Sequence, residues 1–127
     1  MRVIDRLIHR TLRIPYTLHV YEHRKVKKPK ATLVFLHGVG SSGAAWQAVL
    51  EQLKNEPVNI LVVDLLGFGK SPKPEWAQYN AEMQSRALAK TLLAKGVIGK
   101  VTLVGHSMGA LISIEFTKRW QAMVRSL

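Results

Sequence analysis

The chain has 127 residues, of which 47% are hydrophobic and 21% charged, which suits one globular domain and excludes a disordered chain. It contains no cysteine, which excludes disulfides, cysteine–zinc sites and a thiol nucleophile and fits a reducing compartment, so we expect a cytoplasmic protein. No apolar run approaches the roughly 18–20 residues of a membrane-spanning helix, and arginines interrupt the apolar start where a signal peptide would be continuous.

The net charge of +11 is concentrated near the start of the chain, where residues 1–30 hold nine Lys and Arg residues against two acidic ones. The basic run HRKVKKPK (23–30) lies in no known nucleic-acid motif, and we interpret it as a solvated turn between strands. An anionic surface or partner is the alternative interpretation. Nucleic-acid binding, which would be strongly salt-sensitive, is the least supported function, and we expect no nucleic-acid partner.

The first predicted element is a basic amphipathic helix over residues 1–13. Its apolar residues recur at helical spacing, with arginines mostly on the other faces: Ile4, Leu7, Ile8 and Leu12. Such a helix could lie on a membrane surface or act as a targeting presequence. We favour the interpretation that it packs on the body of the protein, the domain over residues 14–127.

The rest of the chain has the pattern of an α/β domain. Residues 16–23 alternate as a strand does, and three continuous apolar runs follow, at 31–37, 58–64 and 100–106. Helical patterns follow these runs around Trp46 to Leu53, near 80–95 and over roughly 108–120. Short strands buried on both faces and alternating with amphipathic helices predict a mostly parallel sheet with helices on both faces.

Three unusual loops follow the apolar runs, at 38–43, 65–74 and 105–109. In a parallel sheet the loops after the carboxyl ends of the strands form the ligand crevice, so these loops predict the site. The last one, Gly105-His106-Ser107-Met108-Gly109, is a G-x-S-x-G sequence between a strand and a helix. This is the pattern of a nucleophile elbow, whose tight turn lifts a serine clear of the sheet and aims helix amides at it.

Three motifs together resemble the N-terminal half of an α/β-hydrolase-fold protein of the serine esterase and lipase group. They are LHGVGSSGAAW (36–46), VVDLLGFGKS (62–71) and VTLVGHSMGA (101–110). The resemblance implies an α/β-hydrolase sheet that is truncated after the elbow helix, at the start of the next strand, MVRSL (123–127). We expect that truncation to leave an unpaired sheet edge through which the chain could self-associate.

The resemblance also implies roles for particular residues. Ser107 matches the nucleophile, and the backbone N–H groups of Met108 and Val39 match the two donors of the oxyanion hole. His37 and Gly38 match the loop that carries the second donor. The elbow glycines are Gly105 and Gly109. Of two further residues in these motifs, Asp64 is expected to organise a loop and Trp46 to pack in the core.

A serine nucleophile needs a general base, and in this family the order along the chain is serine, acid, histidine. After Ser107 the sequence has no histidine or aspartate, and Glu115 is the only carboxylate. Among earlier histidines, His106 points away from its neighbour and His37 shapes the oxyanion loop. The others belong to the basic N-terminal region: His9, His19 and His23. We therefore assign no acid or base, and no metal or cofactor, to this chain.

The sequence thus predicts a serine hydrolase that cleaves a carboxylic ester or similar small acyl compound through an acyl-enzyme. The activity is expected of a longer parent protein, and the 127-residue chain alone is expected to be inactive. The serine disfavours the epoxide hydrolase and dehalogenase branches, which have aspartate at that position. The alternatives are a non-catalytic binding module, an inactive truncated product, or catalysis completed by another polypeptide at the sheet edge.

Overall fold

The computed structural model describes residues 2–127 and is built on a five-stranded sheet. The strands are β1 (Val20–Arg24), β2 (Ala31–Leu36), β3 (Val58–Val63), β4 (Val101–Gly105) and β5 (Val124–Ser126). Their order across the sheet is β1-β3-β2-β4-β5, with β1 antiparallel to β3 and every other pair parallel. The predicted mostly parallel sheet is confirmed.

The helices connect these strands. They are α1 (Arg2–Arg6), α2 (Gln47–Gln52), α3 (Ala81–Ala94) and α4 (Met108–Arg119). A π-helical turn over Leu7–Thr11 continues α1, and 3₁₀ turns over Gly43–Trp46 and Gln121–Met123 precede α2 and β5. Within residues 2–127 no helix combines the length and the apolar content needed to cross a membrane.

The core has two parts, one on each face of the sheet, because successive side chains of a strand point to opposite faces. Leu61 and Val63 of β3 belong to the larger cluster, together with residues of α3 and α4 that include Leu88 and Phe116. Ile60 and Val62 of the same strand belong to a smaller cluster that contains Leu50 of α2. Helices therefore cover both faces, as predicted.

The strand predicted over residues 16–23 begins later than expected, at Val20. Just before it, the backbone N–H of Leu18 donates to Thr91 Oγ1 at 2.8 Å, and that of His19 donates to Ser71 Oγ at 2.8 Å. Side chains from distant parts of the chain therefore satisfy the donors that a strand partner would otherwise take. The alternating pattern alone could not show this.

The N-terminal helical segment contacts the body of the domain through its polar side. The hydroxyl of Tyr16 donates to Asp5 Oδ2 at 2.7 Å, and the Tyr16 ring stacks on His9 with centroids 3.6 Å apart. Burial and the neighbouring Asp5 carboxylate raise the pKa of Tyr16 well above its usual range. The segment therefore lies against the body, as the favoured interpretation has it, but through polar side chains, and its apolar residues Ile4 and Leu7 remain largely exposed.

Candidate active site

Ser107 occupies the corner between β4 and α4 in a strained backbone conformation. Its φ is +55° and its ψ is −118°, a region that residues with a side chain rarely adopt. The side chain is exposed at the carboxyl end of the central part of the sheet. The first residue of α4 is Met108, so its N–H has no partner within the helix and points to the same corner.

Both glycines of the elbow are required by close approaches of backbone to backbone. A Cβ on Gly105 would lie 2.5 Å from the carbonyl oxygen of Gly109. A Cβ on Gly109 would lie 2.1 Å from the carbonyl oxygen of Leu36, the last residue of β2. Neither distance leaves room for a methyl group. Glycine is therefore required at both positions for α4 to begin directly against the end of β2.

The loop after β2 lies against this corner. Leu36 is in register with Gly105 in the parallel pair β2–β4, which brings Gly38 beside the elbow. A Cβ on Gly38 would lie 3.1 Å from His106 Nδ1 and 3.3 Å from Ser107 Cβ. Val39, the next residue, is exposed. The residues expected to form the elbow and the oxyanion loop are therefore brought together at one edge of the sheet.

His37 is buried beneath this loop, with both ring nitrogens engaged. Its Nε2 accepts a hydrogen bond from the N–H of Leu65 at 2.9 Å, so Nδ1 carries the proton and donates to the carbonyl oxygen of Gly38 at 2.7 Å. The ring is 1% exposed, and Phe68 meets it edge-on at 5.6 Å. A histidine held in this way fixes two loops and has no free lone pair to accept a proton from a serine.

Asp64 joins the loops around the site. Its Oδ1 accepts from the N–H of Gly43 at 2.7 Å, and its Oδ2 accepts from the N–H of Lys70 at 2.9 Å. The carboxylate is buried, and the Ser71 hydroxyl donates to the Asp64 carbonyl oxygen. One side chain thus ties the turn before α2 to the loop after β3, which is the organising position expected from the motif.

A concave pocket of about 380 Å³ opens in front of Ser107. Gly38 and Val39 line one part of it, and Trp46 and Val49 line another. Trp46 packs against Phe35, with ring centroids 5.0 Å apart, so it is part of the core as predicted and also a wall of the pocket. A small acyl group in this pocket would lie beside the serine and contact mainly apolar side chains.

The histidines that the structure describes do not form a catalytic pair with Ser107. His37 is fully engaged, and His106 is the neighbouring residue in the chain. His19 and His23 belong to the β1 segment, which at about 4.8 Å per strand lies roughly 14 Å across the sheet from β4. His9 stacks on Tyr16 at the N-terminal helix. Within residues 2–127, no hydrogen bond joins the Ser107 hydroxyl to a histidine or a carboxylate.

A family model described as alpha/beta hydrolase fold matches residues 31–127, which is most of the chain and includes the corner at Ser107, the loop after β2 and Asp64. The chain belongs to the α/β-hydrolase fold family. The expected family membership is thereby confirmed.

Two curated proteins illustrate how this α/β-hydrolase chain relates to longer ones. Lipase 1 of Psychrobacter immobilis is 36% identical over 95 residues, which cover 75% of this chain and 29% of the lipase. The probable lysophospholipase BODYGUARD 4 of Arabidopsis thaliana is 29% identical over 103 residues, 80% of this chain and 25% of the relative. The chain therefore spans between a quarter and a third of the length of these relatives.

A solved structure shows the same relation in three dimensions. A thermophilic esterase from Thermogutta terrifontis superposes with a TM-score of 0.74 and 26% sequence identity. The match covers 84% of this chain and 37% of the esterase. The match thus corresponds to little more than a third of that esterase.

Sequence reasoning missed one wall of the pocket in this α/β-hydrolase chain. Val49 has the helical spacing of a core residue, but it is 40% exposed and lines the pocket in front of Ser107. Its neighbour Leu50 takes the buried position instead. Adjacent residues of a helix lie about 100° apart, so only one of the two side chains can face the sheet, and apolar spacing does not show which.

Replacing Ser107 with glycine is expected to stabilise the fold. Glycine adopts a φ near +55° freely, so Ser107→Gly relieves the strain and should raise the free energy of unfolding by about 1–2 kcal/mol. Ser107→Ala keeps the strained backbone and should stay within about 0.5 kcal/mol of the natural chain. Urea denaturation followed by circular dichroism compares the three proteins. Equal stability of the glycine and alanine variants would show that the corner holds no strain.

Proposed function

We propose that this chain carries the nucleophile and the oxyanion donors of an ester hydrolase. The observation that carries the proposal is Ser107 itself: an exposed serine with φ +55°, held at a helix N-terminus between two glycines that no larger residue can replace. A structural serine needs none of these features. The names of the relatives, a lipase and a probable lysophospholipase, support a carboxylic ester as the substrate class.

In the proposed reaction Ser107 Oγ attacks the carbonyl carbon of the ester as a base takes its proton. The negative charge that develops on the carbonyl oxygen is stabilised by the N–H groups of Met108 and Val39. Collapse of the tetrahedral intermediate breaks the bond to the alkoxide oxygen, which leaves as an alcohol after accepting the proton. Water then attacks the acyl-enzyme, releases the carboxylic acid and regenerates the serine.

The base and the acid of this reaction are proposed to come from outside these 127 residues. His37 has no free lone pair, and His19 and His23 lie across the sheet. The chain alone should therefore show little serine-dependent turnover, because a neutral hydroxyl is a weak nucleophile without a base. A parent protein that supplies both groups should be an active esterase.

A cysteine at the corner tests the nucleophile without a base, because a thiol ionises near neutral pH and a helix N-terminus lowers its pKa further. The chain has no natural cysteine, so Ser107→Cys introduces a unique thiol. With p-nitrophenyl acetate we expect a burst of one equivalent of p-nitrophenolate and a mass increase of one acetyl group. The matched control is Ser126→Cys, an exposed position on β5 with no helix behind it.

Acetylation of the Ser107→Cys thiol should be at least about tenfold faster than that of the Ser126→Cys thiol at pH 7. The rate should also rise with pH around a lower midpoint than in the control, because the reactive species is the thiolate. Equal rates and equal midpoints would contradict the proposal. Circular dichroism of both variants shows that the comparison is made between folded proteins.

A non-catalytic module that binds a small ligand is the second candidate. The engagement of His37 and the distance of the other histidines from Ser107 favour it. Such a module would bind an acyl compound in the 380 Å³ pocket and leave it intact. The two functions are separated at a pH above the midpoints of both thiols, where the helix no longer changes the fraction of thiolate and oxyanion donors alone make Ser107→Cys react faster than the control.

A further inference from the structure

The N-terminal helical segment faces the body with polar residues and solvent with apolar residues, which is the reverse of an ordinary surface helix. The side that faces the body carries Asp5 and His9, which contact Tyr16. The body presents a polar and aromatic surface there, with Trp76 next to Tyr16 at a centroid distance of 6.1 Å. A helix held by these polar contacts leaves its apolar side chains without a partner.

Those apolar side chains point to solvent. Val3 is 81% exposed, Ile4 63% and Leu7 51%. With about 3.6 residues per turn, these three positions lie opposite Asp5 and His9 on the helix. Leu12 and Ile14, just beyond the π-helical turn, are exposed as well. Large aliphatic residues concentrated in this way on one segment mark an interaction surface rather than scattered surface residues.

Arginines border this apolar stripe. All four are exposed, and they recur along the same segment: Arg2, Arg6, Arg10 and Arg13. Among the described residues none of the four guanidinium groups forms an ion pair with a carboxylate. Asp5, the single acidic residue of the segment, accepts a hydrogen bond from Tyr16 on the side next to the body. The exposed surface of the segment therefore combines an aliphatic stripe with unpaired arginines, which lie along one flank of it, between the stripe and the side that faces the body.

We infer that residues 2–14 dock on an anionic phospholipid surface. An interfacial helix inserts its apolar side chains at the boundary of the acyl chains and places arginines among anionic headgroups, which is the arrangement on this segment. The docking does not depend on the proposed reaction. It would bring one end of the molecule to the lipid, because Arg2 and Arg6 line a cavity together with Trp76, in the segment that follows the carboxyl end of β3. Ser107 lies at the same edge of the sheet.

Vesicle co-sedimentation of the 127-residue chain tests this inference. Two vesicle types are compared, pure phosphatidylcholine and phosphatidylcholine with roughly one-third phosphatidylglycerol. Binding to the anionic vesicles should be at least about tenfold stronger and should weaken as salt screens the headgroups. The double variant Ile4→Ser/Leu7→Ser should lower the partition coefficient about tenfold or more, because two aliphatic side chains lose their apolar environment.

The matched control is Leu111→Ser/Ile114→Ser, which removes two equally exposed aliphatic residues from α4, at 64% and 53% exposure. It should leave vesicle binding unchanged. Equal binding to the two vesicle types, or equal losses in the two double variants, would overturn the inference. A third result would overturn it as well. Sedimentation equilibrium in lipid-free buffer would give the mass of a dimer for the natural chain and the mass of a monomer for Ile4→Ser/Leu7→Ser, so the apolar side chains would contact a second copy of the chain. None of these three results would bear on the acetylation of Ser107→Cys.

Discussion

Gly109→Ala is expected to lower the free energy of unfolding by at least about 3–5 kcal/mol, enough to unfold a domain of ordinary stability. The added methyl group would lie 2.1 Å from the carbonyl oxygen of Leu36 and 2.8 Å from that of His37. Both atoms belong to the backbone at the end of β2, which is paired on both sides by β3 and β4. Neither can move without breaking the centre of the sheet. Urea denaturation monitored by circular dichroism measures the loss.

Gly40→Ala is the control for this prediction. Gly40 has φ +71°, but a Cβ there would meet no atom within 4 Å. Its replacement should cost about 1 kcal/mol, the penalty of a left-handed backbone alone. In an ordinary helix Gly→Ala would stabilise instead. If Gly109→Ala cost no more than Gly40→Ala, α4 would not start against β2 as closely as described.

The central strands could be read from the sequence because each is a continuous apolar run. The runs at 31–37, 58–64 and 100–106 became strands Ala31–Leu36, Val58–Val63 and Val101–Gly105. In a parallel sheet covered by helices both faces of a strand are buried, so the strand lacks the polar alternation that makes other elements ambiguous. The apolar runs and the observed strands therefore consist of the same residues, and their first and last residues agree within one or two positions.

The helix and the strand of the N-terminal region follow from the sequence pattern, but their contacts do not, because the partners of this region are far along the chain. The N–H of Leu18 bonds to Thr91, and that of His19 to Ser71. The orientation of the N-terminal helix follows from Tyr16 and Trp76, whose positions depend on the finished fold. Helical spacing predicts which side chains share a face, but not which face meets the body.

The corner at Ser107 was predictable because its requirements are local. A strand that runs into a helix within a few residues needs glycine where the backbone of the turn approaches the neighbouring backbone. The spacing of Gly105 and Gly109 in the sequence indicates both of these positions. The role of His37 was only partly predictable. Its ring accepts a hydrogen bond from the N–H of Leu65, a residue 28 positions away in the chain. This long-range contact is what holds the loop after β2 to the loop after β3, and the sequence does not show it.

The loops around Ser107 come from three separate strand ends, and buried polar contacts hold them together. His37 links the loop after β2 to the loop after β3 through Leu65. Asp64 links the loop after β3 to the turn before α2 through Gly43. The sheet fixes where each strand ends, but these two side chains fix the path of the backbone beyond it. The position of the Val39 N–H therefore depends on His37, at the floor of the pocket, and on Asp64, which does not line it.

Asp64→Asn should accordingly cost about 2–4 kcal/mol of stability, although it changes the shape of the side chain very little. The carboxylate accepts from the N–H groups of Gly43 and Lys70, whereas an amide can accept from only one of them and turns its NH₂ group toward the other. Asp5→Asn, where the carboxylate accepts a part-buried bond from Tyr16, should cost less than about 1 kcal/mol. Urea denaturation by circular dichroism compares both variants with the natural chain.

A second measurement separates loss of stability from loss of loop position. In the Ser107→Cys protein, adding Asp64→Asn should slow acetylation by p-nitrophenyl acetate about tenfold under conditions where the protein remains folded, because the loop proposed to carry the Val39 donor is released. Adding Asp5→Asn should leave the rate unchanged. An unchanged rate with Asp64→Asn would mean that the contact of Gly38 with the elbow holds the loop by itself. Asp64 would then stabilise the domain without positioning the site.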